Sequence, residues 1–151
     1  LYERAQDLGI PVVIHPGMSW EPRARLVYGH PKHLEPVVAD FPRLCVVATH
    51  FAWPWSLEAA ALALKYPNLY LDTAALYFAN PDDFITDLFY HRLSLPLIER
   101  GLRHQVVFGS NYPRVEIKNQ ARAVRQAGLD ERTLQLIFQQ NGLRLLREAS
   151  R

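Results

Sequence analysis

Apolar residues gather along the chain in four short runs, which are separated by longer segments with helical spacing. The runs are residues 11–15 (PVVIH), 44–50 (LCVVATH), 68–73 (NLYLDT) and 105–110 (QVVFGS). Within each run the apolar residues are mostly continuous rather than alternating, which is typical of parallel strands covered on both faces. We therefore predict four buried parallel strands.

The segments between these runs predict helices, and the chain opens with LYERAQDLG, which has the pattern of the end of a helix. The predicted helices are residues 31–41, 56–66, 80–93, 115–127 and 131–149. Ser56, Asn80 and Asp130 are predicted N-caps because short polar side chains accept hydrogen bonds from the first free N–H groups. Pro36 either kinks its helix or marks the true first turn. Asn141 is interpreted as a cap at a helix junction.

The predicted order is a helix end followed by four strand–loop–helix units. Since crossovers between parallel strands are right-handed, this order predicts a parallel α/β arrangement. Four such units are half of an eight-stranded barrel, and they also fit a small open sheet. Nothing resembling a linker divides the sequence, so residues 1–151 are interpreted as a single domain.

Composition narrows the function classes. Of the 151 residues, 49% are hydrophobic and 21% are charged, which is typical of a globular protein. The formal net charge of +2 and the scattered Lys and Arg residues argue against nucleic acid or a membrane surface as a partner. The single cysteine, Cys45, lies in an apolar run and is expected to be reduced and buried. Without a signal-peptide pattern or a long apolar stretch, the expected location is the cytoplasm.

Polar side chains follow each predicted strand. The first two runs end in His15 and His50, the third in Asp72 and Thr73, and the fourth is followed by Ser110 and Asn111. The carboxyl ends of parallel strands open on one rim, so these groups are expected to converge. Imidazoles beside a carboxylate or an amide suit metal binding and proton transfer.

Five blocks of the sequence together resemble the amidohydrolase-related metal-dependent hydrolases, the group that includes aminocarboxymuconate semialdehyde decarboxylase. The blocks are IPVVIHPG, HLEPVVADFPRLCVVATHFAWPW, YPNLYLDTAA, VVFGSNYPR and QQNGLRLL. They cover nearly the whole chain in order and are specific as a set. The resemblance implies a TIM (β/α)8 barrel with a divalent metal, usually zinc, at its rim, and a small-molecule substrate.

The resemblance also implies roles for particular residues. His15 matches a metal-ligand histidine, and His50 matches a histidine that binds metal or acts as general acid/base. Asn111 falls where the family usually has an aspartate that contacts the metal and handles the proton of its water. An amide oxygen coordinates weakly and cannot accept a proton near neutrality. The sequence leaves open whether Asn111 is natural or was introduced to trap substrate.

Three further residues have two interpretations each. Trp53 is a candidate substrate platform or a packing residue of the rim. Arg114 is a candidate for bidentate binding of a substrate carboxylate, and it equally fits an ordinary surface position. For Asp72 a structural role, capping the segment that follows the strand, is favoured.

The resemblance is to the C-terminal half of such a barrel. The family's His-x-His pair on the first strand and its fourth-strand region have no counterpart in the sequence. Leu1 falls in the middle of a predicted helix, and the only methionine is Met18, so Leu1 is not expected to be a natural start.

Two classes of function therefore remain. One is a metal-dependent hydrolase of a C–N or C–O bond, or a nonoxidative decarboxylase (a carboxy-lyase), acting on a small carboxylated or cyclic substrate. The other is a non-catalytic half-barrel or ligand-binding module that has lost the acid of its metal site. A half-barrel has two unpaired parallel edges, so it could pair with the missing barrel half or form a homo-oligomer.

Overall fold

The computed structural model describes residues 1–76 and 80–148. The strands are β1 (Val12–Ile14), β2 (Val46–Ala48), β3 (Leu69–Asp72) and β4 (Val106–Val107). The α-helices are α1 (Tyr2–Asp7), α2 (Glu35–Asp40), α3 (Ser56–Lys65), α4 (Pro81–Thr86), α5 (Ile117–Arg125), α6 (Glu131–Gln135) and α7 (Asn141–Glu148). Short 3-10 turns lie at Leu26–Gly29 and Pro31–His33, and Thr49–Ala52 is a turn with left-handed residues. Segments with π-helical hydrogen bonds lie at Asp87–Arg92, Leu97–Leu102 and Leu136–Gln140.

The four strands form one parallel sheet in the order β1-β2-β3-β4. The register pairs Val13 with Val47, Val47 with Tyr70, and Leu71 with Val106. Strands that follow one another in both sequence and space, each followed by helical structure, form the wall of a barrel, whereas a doubly wound sheet reverses its strand order. The predicted parallel α/β arrangement is confirmed.

The main hydrophobic core lies between one face of the sheet and the helices. Residues of that face, such as Ala48 and Leu71, belong to the same buried cluster as Ala59, Ala60 and Ala63 of α3. Alanines at these positions let the helix backbone approach the sheet closely, which keeps the strand ends in a fixed relation to one another.

The opposite face of the sheet carries a smaller cluster. Cys45, Val47, Tyr70 and Val107 pack there with Leu145 of α7. Cys45, the single cysteine of the sequence, is buried, as the sequence predicts. The helix α7 therefore covers part of the face that lines the interior in a closed barrel.

The first strand differs from the prediction of strands covered on both faces. Val13 in β1 is 65% exposed, whereas β2 and β4 are buried at every position. Both β1 and β4 are edge strands with a single partner, but Val107 of β4 packs with Leu145 of α7, and the described residues of that cluster do not include Val13. An apolar run alone does not show which strand lies at the edge.

Two of the predicted helix starts are confirmed. The Asn80 side chain accepts from the N–H of Asp82 at 3.0 Å, and Asp130 accepts from the N–H of Thr133 at 2.7 Å. Pro36 lies in the first turn of α2, so it marks a helix start and does not kink a helix interior. The predicted end of the last helix at residue 149 lies outside the described residues.

Two other helix assignments are wrong. Trp55 occupies the N-cap position of α3, so Ser56 lies inside the helix, where its hydroxyl is buried without a partner among the described residues. Asn141 lies at the junction of Leu136–Gln140 and α7, as predicted, but its side chain does not cap either helix. Its amide donates to the carbonyls of Arg103 and Val106 and ties α7 to the start of β4. Across the two described ranges, no helix has both the length and the apolar character needed to cross a bilayer.

Candidate active-site rim

The polar residues predicted at the strand ends converge in part. His15 directly follows β1 and His50 follows β2, and their ring centroids lie 4.9 Å apart with an edge-on angle of 66°. His15 is exposed and His50 is buried, at 6% exposure. Asp72 ends β3, and its Oδ1 accepts from the backbone N–H of His50 at 2.7 Å. These three residues therefore lie together at the carboxyl ends of β1, β2 and β3.

A left-handed turn follows β2. His50, Phe51 and Ala52 have φ values of 57°, 48° and 52°. Each non-glycine residue in this region costs about 1–2 kcal/mol, and such strain concentrates at functional sites. The hydrogen bond to Asp72 and the complete burial of Phe51 and Ala52 hold the turn in place. No glycine marks this turn in the sequence, so local pattern does not predict it.

The tautomer of His50 follows from its hydrogen bond. Nδ1 lies 2.8 Å from the carbonyl oxygen of Ala74, which can only accept, so Nδ1 carries the proton. Burial lowers the pKa of His50, which keeps the ring neutral near pH 7. In this neutral ring Nε2 is the nitrogen with a free lone pair. Metal-ligating histidines are commonly oriented in this way through their second nitrogen.

The pKa values of the two ionisable neighbours of His50 are also shifted. The pKa of His15 is lowered, chiefly by desolvation and then by the His50 ring. Burial raises the pKa of Asp72 to about 6, although two N–H groups donate to it. The second of these is the N–H of Ala74, at 3.0 Å, which confirms the predicted capping role of Asp72. Two neutral imidazoles therefore lie beside one carboxyl group.

Asn111 lies in a conformation that suits its residue type. Its φ is 69°, a left-handed value that asparagine adopts more readily than most residues. The side-chain Nδ2 donates to the carbonyl of Ala75 at 2.9 Å. An ionised aspartate cannot donate this bond, so the local structure fits an amide.

The loop after β3 holds both His50 and Asn111. Its consecutive carbonyls, those of Ala74 and Ala75, accept from the His50 ring and from the Asn111 amide. Sequence reasoning missed this positioning role because it looks for reactive side chains, whereas this loop acts through its backbone. The small residues in the block DTAA were the available signal, since they let other side chains approach the backbone closely.

The predicted substrate-binding residues have different environments. Trp53 is half-buried against the core, donates from Nε1 to Asp87 at 3.2 Å, and lies with its ring 5.2 Å from the Arg92 guanidinium carbon. These contacts fit the packing interpretation of Trp53. Arg114 is exposed, and its backbone N–H donates to the carbonyl of Asn111 at 3.0 Å.

The rim holds only part of a metal-ligand set. Within residues 1–76 and 80–148, no three His, Cys, Asp or Glu side chains are grouped so that they could hold a metal ion. His15 and His50 offer two neutral nitrogen donors, and Asn111 has a weakly coordinating amide oxygen. These donors fit a divalent metal whose remaining ligands come from elsewhere.

The sequence matches a known family over nearly its whole length. A model of a family described as Amidohydrolase matches residues 1–147. This chain belongs to the amidohydrolase family. An uncharacterised TIM-barrel protein from Bordetella bronchiseptica is 31% identical, with a TM-score of 0.81 over 99% of this chain and 50% of that protein. The four strands are accordingly part of a TIM barrel.

Three other matches cover less of this amidohydrolase chain or are less similar to it in sequence. Protein fluG of Emericella nidulans is 33% identical over 67 residues, which are 44% of this chain and 8% of fluG. A dihydroxybenzoic acid decarboxylase from Polaromonas sp. JS666, with bound manganese and the inhibitor 2-nitroresorcinol, has a TM-score of 0.62 at 16% identity, covering 97% and 52% of the two chains. Dihydroorotase from Campylobacter jejuni has a TM-score of 0.62 at 22% identity, covering 97% and 50%.

These distant structural matches share the fold with this amidohydrolase chain. The chain spans about half the length of the solved structures that it matches.

Proposed function

We propose that this chain forms half of the active-site rim of a metal-dependent amidohydrolase, acting as a hydrolase or as a nonoxidative decarboxylase. The substrate class is a small carboxylated or cyclic molecule. The observation that carries the proposal is the pair of imidazoles, 4.9 Å apart at the carboxyl ends of adjacent parallel strands. Membership of the amidohydrolase family supports it.

The proposed roles follow from the protonation states. His15 and the Nε2 atom of His50 are neutral donors that can bind a divalent metal, for which zinc suits the nitrogen set. Such a metal, when bound, polarises a water molecule or a substrate oxygen. When His50 does not bind metal, the same Nε2 can take a proton from a reacting group and return it.

Asn111 and Arg114 complete the proposed rim. Asn111 orients a water molecule and does not deprotonate it, because an amide is not a base near neutral pH. Arg114 is exposed beside Asn111, at a position from which a guanidinium can bind a substrate carboxylate. Trp53 would then shape the rim through the packing contacts described above.

Metal titration tests the proposal. We expect Zn²⁺ to bind this chain weakly, with the binding heat lost in His15→Ala and in His50→Ala, while His91→Ala, an exposed control, binds like the wild type. Asn111→Asp restores an anionic ligand and is expected to bind Zn²⁺ at least tenfold more tightly. No binding by either the wild type or Asn111→Asp would exclude the proposed metal site.

A non-catalytic half-barrel is the second candidate, because the described residues lack a group of three acidic, histidine or cysteine ligands. Such a module would bind a small ligand or pair with another chain without turnover. Titration of the protein with dihydroxybenzoates and cyclic amides distinguishes the enzyme from the non-catalytic module. Binding without product formation, in a protein loaded with Zn²⁺ or Mn²⁺, favours the module, and product formation favours the enzyme.

A further inference from the structure

The peptide unit that joins Thr73 to Ala74 is hydrogen-bonded at both its carbonyl and its N–H group. Its carbonyl accepts from the side-chain Nε2 of Gln120, and its N–H donates to Asp72 Oδ1 at 3.0 Å. The preceding N–H of Thr73 donates to the carbonyl of Val107 at 3.1 Å, so Thr73 is already fixed to β4 on its upstream side. A peptide unit is planar, so holding its two polar ends fixes its rotation.

The next two carbonyls along the chain are the ones that accept from the site residues. The carbonyl of Ala74 accepts from His50 Nδ1 at 2.8 Å, and that of Ala75 accepts from Asn111 Nδ2 at 2.9 Å. A turn of the peptide between Thr73 and Ala74 redirects both carbonyls unless a compensating rotation about φ of Ala74 cancels it. The His50 ring then loses the acceptor that keeps its proton on Nδ1.

Gln120 is an unusual residue for its position. It lies on α5, outside the rim, and is completely buried. Its Oε1 has no hydrogen-bond partner among the described residues. An apolar side chain would avoid the penalty of burying this unpaired oxygen. The described contact that compensates for this penalty is the hydrogen bond from Nε2 to the carbonyl of Thr73.

We propose that Gln120 is a positioning residue, which fixes the Nδ1–H tautomer of His50 and the orientation of the Asn111 amide through the loop after β3. Gln120 itself touches neither side chain and acts through the carbonyl of Thr73. The inference rests on the proposed function only in taking His50 as a site residue. The tautomer can be measured without metal or substrate.

The test is the nitrogen NMR signature of the His50 ring in the metal-free chain, recorded where the ring is neutral. The wild type is expected to show a single Nδ1–H tautomer. Gln120→Met, which keeps the volume but has no donor, is expected to lose it and show the mixture of tautomers of an unconstrained imidazole.

Asn141→Leu is the matched control. Asn141 is also a completely buried amide on a helix that donates to backbone carbonyls, but its acceptors are Arg103, which precedes β4, and Val106, the first residue of β4. We expect Asn141→Leu to be destabilised yet to keep the wild-type His50 signature. A signature unchanged in Gln120→Met, or lost equally in Asn141→Leu, would show that Gln120 acts only on stability and overturn the proposal.

If Gln120→Met does not fold, Gln120→Leu decides, because leucine is a smaller apolar side chain that suits a helix and has no donor. Loss of the Nδ1–H signature in Gln120→Leu supports the proposal, and full retention contradicts it. If the wild type shows the Nδ1–H tautomer and Gln120 controls it, but no zinc binds, the positioning role of Gln120 holds and the proposed metal site is excluded. The two proposals can therefore fail separately.

Discussion

Among single residues, Asn111 best shows how local geometry limits chemistry at the rim. Its left-handed backbone suits asparagine and aspartate alike, but its bond to the carbonyl of Ala75 requires an N–H donor. A carboxylate in the same place would face that carbonyl without a donor, and it would gain a negative charge and the ability to accept a proton. Asparagine therefore keeps the hydrogen bond to the loop after β3, whereas aspartate would supply a negative charge and lose that bond.

The first prediction concerns the contribution of this hydrogen bond to stability. In the metal-free chain, Asn111→Asp is expected to lower the free energy of unfolding by about 1–3 kcal/mol, because the carbonyl of Ala75 loses its donor and meets a negative charge. Chemical denaturation measures the change. Asn119→Asp, an exposed change of the same charge on α5, should stay within about 0.5 kcal/mol of the wild type. An equal effect of the two variants would contradict the role of the bond.

Asp72 predicts a pH dependence. Its pKa is about 6 in the folded chain against an ordinary value of 3.8, so between these values the folded state binds more protons than the unfolded state. Lowering the pH through this range therefore stabilises the fold through Asp72. Asp72→Asn keeps an acceptor oxygen but has no proton to bind.

We therefore expect the difference in unfolding free energy, wild type minus Asp72→Asn, to rise as the pH falls from about 7 to about 4. The pKa values of His15 and His50 are lowered, so these residues destabilise the fold as the pH falls below the ordinary histidine pKa. They do so in both proteins, and their effect largely cancels in the difference. A flat or falling difference in metal-free buffer would show that Asp72 is not held in a desolvating site.

At the level of elements, the loops after β3 and β4 lie in close contact. A Cβ added to Gly109 would lie 3.1 Å from Asp72 Cγ and 3.2 Å from Ala74 Cβ. The N–H of Gly109 also donates to the Thr73 hydroxyl at 3.2 Å. An alanine at this position would therefore lie unusually close to the loop that holds His50.

Gly109→Ala is accordingly expected to destabilise the chain by about 1–3 kcal/mol, as overpacked core substitutions do. Gly142→Ala is the control, since no atom lies within 4 Å of its added Cβ and alanine favours a helix such as α7. Thermal unfolding of the two variants should therefore shift in opposite directions. A neutral Gly109→Ala would show that the two loops can separate without loss.

The sequence predicts the strands and the strand-end residues better than it predicts the contacts between them. Continuous apolar runs locate β2 and β3, and the polar residues after them locate His50 and Asp72. The left-handed turn at His50 depends on a hydrogen bond from a residue 22 positions away, which no local pattern encodes. The π-helical segment Leu97–Leu102 is not predicted either, because Pro96 indicates the end of a helix and tertiary packing overrides that signal.

At the level of the whole molecule, the sheet presents an open edge. Val13 in β1 is exposed on a strand that has one partner, and the solved structures that match this chain extend over about twice its length. We propose that this edge pairs with another polypeptide segment, either the other barrel half or a second copy. Unpaired parallel edges with apolar side chains associate unless they are covered or charged.

Val13→Lys tests this proposal. In sedimentation experiments the wild-type chain is expected to associate with rising concentration, and Val13→Lys is expected to remain monomeric, because a charged side chain blocks an edge strand. Leu57→Lys on α3 is the control, since Leu57 is similarly exposed, at 58%, but lies on a helix. Equal association of the wild type and Val13→Lys would contradict the proposed use of the edge.

The pairing of the two rim histidines is most directly tested by titrating Zn²⁺ into the chain while following the imidazole resonances of His15 and His50. If the two rings share one ion, their signals shift at the same zinc concentration, and replacing either histidine by alanine abolishes the response of the other. Signals that respond at different concentrations, or that survive loss of the partner, would show that the two imidazoles do not form one site.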